Sequence, residues 1–532
     1  MRRLFAGTFR QTLFVFRAQR LFIAIWLCAL VAFSAFLAPA FAVMFDDNGR
    51  AALAEALQNP AMVAIIGPVY GADNYTPAAM YAGNMLLWVL LAVCVMNVVF
   101  ICGRTRADEE AGRAELLRSL PAGRLICLHT AISAALLINL ALALLTGLAL
   151  ASFQLTGFTF AGCMLYGAVL GAGGFFAAAL TALLCQLFSS SRSAMGVSFG
   201  VLGLLFLLRA YGDIFSEPLA LISPLGMLLR ARVFTANSWQ PVIAVLIESI
   251  CFAASAYMLS SERDLGCGLL PARRGRTAAD FSLRSSFGLA LRLTRGSVLI
   301  WLLVFFLLGA SYGSILGDID SFIDGSPVYQ AVIGVVPGVA STEMFAAMVN
   351  SIMAALALAP LLPIVSRPRE EELSGRAELT LSRAVSRVTY YSGYLIIAAI
   401  SSVLLQIATA AGLYTAAALV LPGSVSFGFL LGSNLVYLPA IWFFCGLCVL
   451  LVGLLPKAYT LVWAYFAFCF FGMFLSRIAE LPPAVNALSP FEYIPRLPVG
   501  TVHFPTLAAL TAVSLLCCGG GLFCFCVRDS KA

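Results

Sequence analysis

Lysine is almost missing from this chain: its 532 residues include only Lys457 and Lys531. A nucleotide-binding GxxxxGK[ST] loop needs a lysine directly before Ser or Thr. Here the two lysines precede Ala458 and Ala532, so the chain carries no such loop. Histidine is equally scarce, with His129 and His503 alone. That excludes an HExxH metal site and leaves no Ser-His-Asp arrangement legible. Charge is thin as well, at 11% of residues against about 25% in an average soluble protein. The loops lack interleaved basic and aromatic residues, so no nucleic-acid partner is expected.

What is abundant is apolar residue, 61% of the chain, gathered into long uncharged runs. About 20 residues at ~1.5 Å rise cross a ~30 Å hydrocarbon core. The fold class read from these runs is an all-α polytopic membrane protein of about twelve transmembrane helices. In the first half the spans fall near 21–44, 81–103, 125–151, 160–187, 194–210 and 241–260. In the second they fall near 297–316, 344–365, 388–414, 424–454, 458–475 and 504–527, with breaks expected at Gly428 and Pro439. The organisation is a first six-helix half (1–262), a linker (263–295) and a second six-helix half (296–532). Six is even, so both halves cross in the same sense and form a parallel repeat. Two like halves about one axis imply a pathway between them.

The 15 cysteines do not form a disulfide framework, because most lie inside apolar runs, where a reduced thiol packs as a small hydrophobe. Cys445 and Cys448 have the CxxC spacing of a redox or metal pair. They lie mid-span without His or acidic neighbours, and no metal site is expected. "APAFA" after the first apolar run is the kind of sequence that ends a signal peptide near Ala42. We read an uncleaved span instead, because "FRAQRLFIAIW" recurs as "LRLTRGSVLIW" with Arg17/Arg292, Arg20/Arg295 and Trp26/Trp301 matched.

Arginine placement orients the spans. Arg2, Arg3, Arg10, Arg17 and Arg20 precede the first, and the linker holds Arg263, Arg273, Arg274, Arg276, Arg284, Arg292 and Arg295. Residues 317–343 carry Asp318, Asp320, Asp324 and Glu343 and no basic residue. The positive-inside rule then places both termini and the linker in the cytoplasm. Arg230 and Arg232, in an expected outer loop, are exceptions.

One dense charged phrase occurs twice. "RTRADEEAGRAELLRSLPAGR" (104–124) returns 263 residues later as "RPREEELSGRAELTLSRAVSR" (367–387), with ten of 21 positions identical. Acids at its start and arginines towards its end suit a helix dipole. A short helix is expected over Asp108–Arg118 and over Glu371–Ser382, with i,i+4 pairs Glu109–Arg113 and Glu372–Arg376. Each such pair adds about 0.2–0.5 kcal/mol. Leu116, Leu117 and Leu120 form an apolar face that would lie inward at the membrane interface, and Pro121 stops the helix. Arginine alone would anchor the loop; a repeated "GRAEL" calls for one partner surface used twice.

Glu248 is an acid in the middle of a span, "AVLIESICFAA". An acid there costs roughly 2.5–3.5 kcal/mol, so it is expected to face the bundle interior. There it either meets substrate or a proton, or is a neutral hydrogen-bonded structural carboxyl. Arg209 and His129 lie near span ends and are expected to snorkel.

Together the phrases "TRADEEAGRAELLRSLPAGR", "GPVYGADNYTP", "SPLGMLLRARVF", "ERDLGCGLLPARRGR" and "LSPFEYIPRLP" resemble the ABC-2 type exporter permeases of the polyketide-antibiotic exporter group, over most of the chain. The second acidic run, "EEELSGR", departs from "DEEAGR" by one shift. The resemblance implies a permease subunit of an ATP-binding-cassette exporter in a bacterial cytoplasmic membrane. This chain would bind no cofactor. ATP would sit on a separate cytoplasmic ATPase, a homodimer, and the cargo would be a hydrophobic or amphipathic antibiotic-like molecule. Asp108, Glu109, Glu110, Arg113, Glu115 and Arg118, with Glu371, Glu372, Arg376 and Glu378, would couple the chain to that ATPase, and Glu248 is the pathway candidate. Two other classes stay open: an ion-coupled secondary transporter with Glu248 as proton carrier, and a non-transporting membrane scaffold or enzyme.

Overall fold

The computed structural model describes residues 5–44, 50, 53–55, 57–270, 277–318, 339–423, 425–478, 483–498 and 500–528. The residues at Arg2, Arg3, Arg273, Arg274, Arg276, Asp320, Asp324 and Lys531 lie outside these. Among the described residues every regular element is helical. The chain forms two compact units, Met1–Gly275 and Arg276–Ala532.

The first unit holds α1 (Arg20–Met44), α2 (Pro77–Arg104), α3 (Ile126–Ser152), α4 (Phe160–Leu187), α5 (Ser191–Phe215) and α6 (Gln240–Glu262). Three starts carry side-chain caps, with Thr76, Thr159 and Ser190 accepting from the backbone N–H three residues on. The centre is α4, the most deeply buried of the apolar spans among the described residues. Its glycines allow this: a Cβ on Gly167 would stand 2.1 Å from the Ala143 oxygen, and one on Gly174 2.0 Å from Asn139 Oδ1. A reciprocal amide pair crosses the interior, Asn139 donating to Asn97 at 2.7 Å and Asn97 to Asn139 at 3.1 Å. In hydrocarbon a buried amide must find such a partner.

The second unit holds α7 (Ser286–Ser314), α8 (Ser341–Leu356, resuming as Leu358–Leu373), α9 (Arg387–Val420), α10 (Phe427–Leu435, resuming as Leu438–Leu454), α11 (Leu461–Ile478) and α12 (Phe504–Val527). The break in α10 falls just before Pro439, whereas Gly428 sits undisturbed in its first turn. Helices α7 and α9 meet through glycine. A Cβ on Gly309 would lie 2.5 Å from the Thr409 oxygen, on Gly313 2.4 Å from the Leu413 oxygen, and on Gly412 2.0 Å from the Phe306 oxygen. "GASYG" (309–313) is thus a small-xxx-small seam. Gly412→Val is expected to force the helices apart and cost about 1–3 kcal/mol, read as a lower melting temperature in detergent. Gly428→Val, which meets nothing within 4 Å, should leave it unchanged.

Eleven helices among the described residues are long and apolar enough to cross a membrane, and the protein is an all-α polytopic membrane protein. The remaining expected span, near 458–475, falls on α11, whose apolar part Leu461–Phe470 is shorter.

Candidate coupling site

The duplicated phrase begins at the end of α2 in one unit and in the last turns of α8 in the other, and its main ion pairs recur in both. The expected single helix is broken in both. Arg106–Glu110 and Arg113–Arg118 flank Gly112 at φ 71°, and in the second unit α8 runs to Leu373 before Gly375 at φ 72° and a helix Arg376–Leu381. Both glycines hold the left-handed conformation that costs other residues about 1–2 kcal/mol.

That break overturns the expected ion pairs. Arg113 does not pair with Glu109, nor Arg376 with Glu372. Instead Arg113 meets Asp108 at 2.6 Å, and Arg376 meets Glu371 at 2.7 Å. The i,i+4 spacing places side chains together only on an unbroken helix, and the glycine turn brings i,i+5 together instead. Arg104 and Arg367 approach the same two acids from the preceding turn, at 3.7 and 3.4 Å. Hydrogen bonding to Glu371 holds the Arg376 guanidinium above its ordinary pKa.

The freed acids serve a second, buried cluster. Glu109 accepts from Arg106 at 2.8 Å and takes a two-pronged contact from Arg263, 2.6 and 2.9 Å, just past the end of α6. Glu372 likewise accepts from Arg369 at 3.2 Å and from Arg528, just past α12, at 2.5 Å. Arg106 is only 1% exposed; it also donates to the Cys185 oxygen at 2.6 Å and the Cys267 oxygen at 2.8 Å. The last arginine of each phrase grips the same helix end: Arg124 donates to the Arg263 oxygen, and Arg387 to those of Phe525, Cys526 and Arg528. Cations belong at helix C-termini, where carbonyls lack intrahelical partners.

Of the other expected residues, Glu110 accepts from the Ser191 N–H at the start of α5, at 2.8 Å, and Arg118 donates to the Arg124 oxygen. Glu115 and Glu378 are exposed. The leucines do not pack into the helical unit itself, Leu117 being half-buried and Leu120 exposed. Leu116 is 71% exposed, and its repeat counterpart Leu379 72%, while Ala114 and Ala377 are the buried residues of these turns. Each phrase therefore presents an arginine, an acid and a leucine outward, Arg113, Glu115 and Leu116 or Arg376, Glu378 and Leu379, while the side chains of Arg106 and Glu109, or Arg369 and Glu372, are buried behind them.

Sequence reasoning missed Arg263 and Arg528 as partners of the phrase, because they lie outside its 21 residues and 265 apart. The available signal was "RD" immediately after the last span of each half, Arg263–Asp264 and Arg528–Asp529.

The far end of the first unit accounts for the arginine exceptions. Arg209 does not snorkel: it is fully buried, paired with Asp213 at 3.2 Å. It also donates to the oxygens of Val63, Ala64 and Ile65 at the end of the helix Pro60–Ile66. Arg230 meets Asp213 at 3.0 Å and Glu217 at 3.3 Å. Arg232, at φ 48°, lies over the Tyr70 ring, and burial pushes the Tyr70 phenol up. His129 contacts the Tyr257 hydroxyl at 2.7 Å and the Phe5 ring. Glu248 is half-buried at the edge of the α6 face that holds Val245 and Ser249.

In the second unit α8, α9, α10 and α12 line an open apolar pocket of about 320 Å³, with Leu395, Trp442, Cys445, Leu515 and Cys518 in its walls. Trp442 donates its indole N–H to Ser402 at 3.0 Å.

Residues 283–526 match the family described as "Multidrug efflux system permease Rv1217c, C-terminal domain". The multidrug efflux system permease protein Rv1217c of Mycobacterium tuberculosis is 31% identical over 537 residues, spanning 99% of this chain and 96% of that protein.

Proposed function

The chain belongs to the family of multidrug efflux system permeases, and from that membership we propose that it is the membrane subunit of an ATP-driven exporter of hydrophobic or amphipathic drug-like compounds. The finer placement, in the ABC-2 polyketide-antibiotic exporter group, rests on the phrases quoted above. ATP hydrolysis belongs to a separate cytoplasmic ATPase, because the chain has no lysine able to complete a phosphate-binding loop. Both termini and both charged phrases face the cytoplasm, in the membrane of a bacterial cell. The apolar pocket in the second unit supports a hydrophobic cargo.

The observation that carries the coupling role is the duplicated geometry: two glycine-broken turns, each exposing Arg113 and Leu116 or Arg376 and Leu379 over a buried ion cluster. Two equal surfaces fit two equal subunits of a homodimeric ATPase. Arg113 and Arg376 are 55% and 60% exposed, so their own ion pairs contribute little to stability and reversing them should spare the fold. Arg113→Glu with Arg376→Glu is expected to weaken ATPase association by about tenfold or more, since ~1.4 kcal/mol is a factor of ten. Affinity purification of the tagged chain from its native membrane reads this as loss of a stoichiometric ATPase. Full retention by the double variant would remove the phrases from the interface.

One observation favours ion-coupled transport instead: Glu248 is a half-buried acid with no hydrogen bond or ion pair among the described residues. A protonophore separates the two. It abolishes export by an ion-coupled carrier and leaves ATP-driven export running in inside-out vesicles supplied with ATP.

A further inference from the structure

The phrase touches several elements in the first unit. Arg106 reaches the end of α4 through the Cys185 oxygen, and Glu110 reaches the start of α5 through the Ser191 N–H. In the second unit the corresponding arginine and the residue after the second acid are Arg369 and Leu373. A leucine cannot accept the α5-type contact. The tie to the last helix recurs in both units. It is made twice over each time: a buried glutamate holds the arginine that follows the helix, and the last arginine of the phrase holds that helix's terminal carbonyls. The tie recurs although the partner arginines stand at a different offset from the phrase itself, 265 against 263 residues. Simple copying of one local motif does not produce it.

Resting on the ATP-driven reading above, we infer that Arg263 and Arg528 are positioning residues that make α6 and α12 the helices each phrase drives. A movement imposed on the exposed Arg113–Leu116 or Arg376–Leu379 surface reaches the buried glutamate through one short turn. From there it passes to the helix end through charge-assisted hydrogen bonds, the strong class of such contacts. The two ties differ in form. Arg263 uses both terminal nitrogens on both Glu109 oxygens, while Arg528 uses one nitrogen on one Glu372 oxygen. A lysine reproduces a single contact and cannot reproduce a fork.

The test uses the full chain with its co-purified ATPase in vesicles and measures compound exported per ATP hydrolysed, with a dye of the multidrug type as probe. Arg263→Lys is expected to lower that ratio by about fivefold, the low end of a coupling free energy. Arg528→Lys should keep it within about twofold, because its one contact survives. Arg263→Gln and Arg528→Gln should each lower the ratio further. Both lysine variants keep the charge, so they report even where a glutamine variant fails to fold. An unchanged ratio in Arg263→Lys, with only a lower melting temperature, would make the tie a static staple and overturn the inference. Equal losses in the two lysine variants would overturn it too, since the fork would then not matter. Failure of the ATP-driven reading shows separately, as a wild-type chain that purifies without an ATPase. Hydrogen exchange on that isolated chain still tests the tie: Arg263→Gln must speed exchange in 106–118 and in the last turn of α6 together, and an effect confined to either segment overturns the mechanical link.

Discussion

Glu109→Ala is expected to destabilise the first unit by about 3–5 kcal/mol, because it strands buried guanidinium charge. Arg106 and Arg263 are 1% and 7% exposed, and Glu109 is the acid that both contact. Their remaining partners, the Cys185 and Cys267 oxygens, are neutral acceptors and do not offset a full charge. Glu109→Gln keeps one acceptor and should lose less, about 1.5–3 kcal/mol, the worth of hydrogen bonds to a charged group. The second unit should respond in the same direction to Glu372→Ala, which removes the acid that Arg369 and Arg528 share. The measurement is the fraction of chain that stays monodisperse in mild detergent after a heating series. A Glu109→Ala chain as heat-stable as the wild type would mean that the cluster is hydrated and that its ion pairs are worth no more than surface ones.

Asp213→Ala is expected to be as damaging, again about 3–5 kcal/mol, at the opposite end of the same unit. Asp213 and Arg209 are both 0% exposed, and Asp213 also receives Arg230. Removing the acid leaves two cations facing one another across its former site. The pair itself need not be a net stabiliser: burying both charges carries a desolvation cost close to their attraction. Arg209→Leu combined with Asp213→Leu should therefore recover a large part of the loss. A double-mutant cycle on detergent melting reads this directly. If the two losses simply add, the coupling does not exist.

This acidic pocket also explains how Arg230 comes to lie in a loop that the positive-inside rule assigns to the outer side. Asp213 and Glu217 neutralise Arg209 and Arg230 locally, so that cluster carries no net charge. Counting arginines along the sequence cannot see this, because Arg230 lies 17 residues from Asp213.

Other features divide in the same way between near and far in sequence. The spans were legible because each is a local run of apolar residues. The two halves were legible because the charged phrase, "LISPLGM" and "ALSPFEY" recur at nearly constant offset. The acids and arginines of the repeated phrase stood out for the same reason. Their pairing did not. One left-handed glycine in each phrase rotates the register, so helical spacing assigned Arg113 and Arg376 the wrong acids. The buried cluster stayed hidden because Arg263 is 154 residues from Glu109, and Arg528 is 156 from Glu372. The seam between α7 and α9 is written in "GASYG" and Gly412, but a glycine reads as easily as a break as it does a contact until its neighbour is known.

That seam has a mechanical consequence. Where three glycines bring two backbones to van der Waals distance, close packing leaves α7 and α9 little room to slide past one another, so the pair is expected to behave as one stiff beam. The helical hydrogen-bond ladder of the second unit is interrupted elsewhere, in α8 at Ala357 and in α10 at Val436–Tyr437, where the backbone stays helical in its angles. The second unit thus sets one stiff pair, α7 and α9, beside two interrupted helices, and both interrupted helices line the apolar pocket.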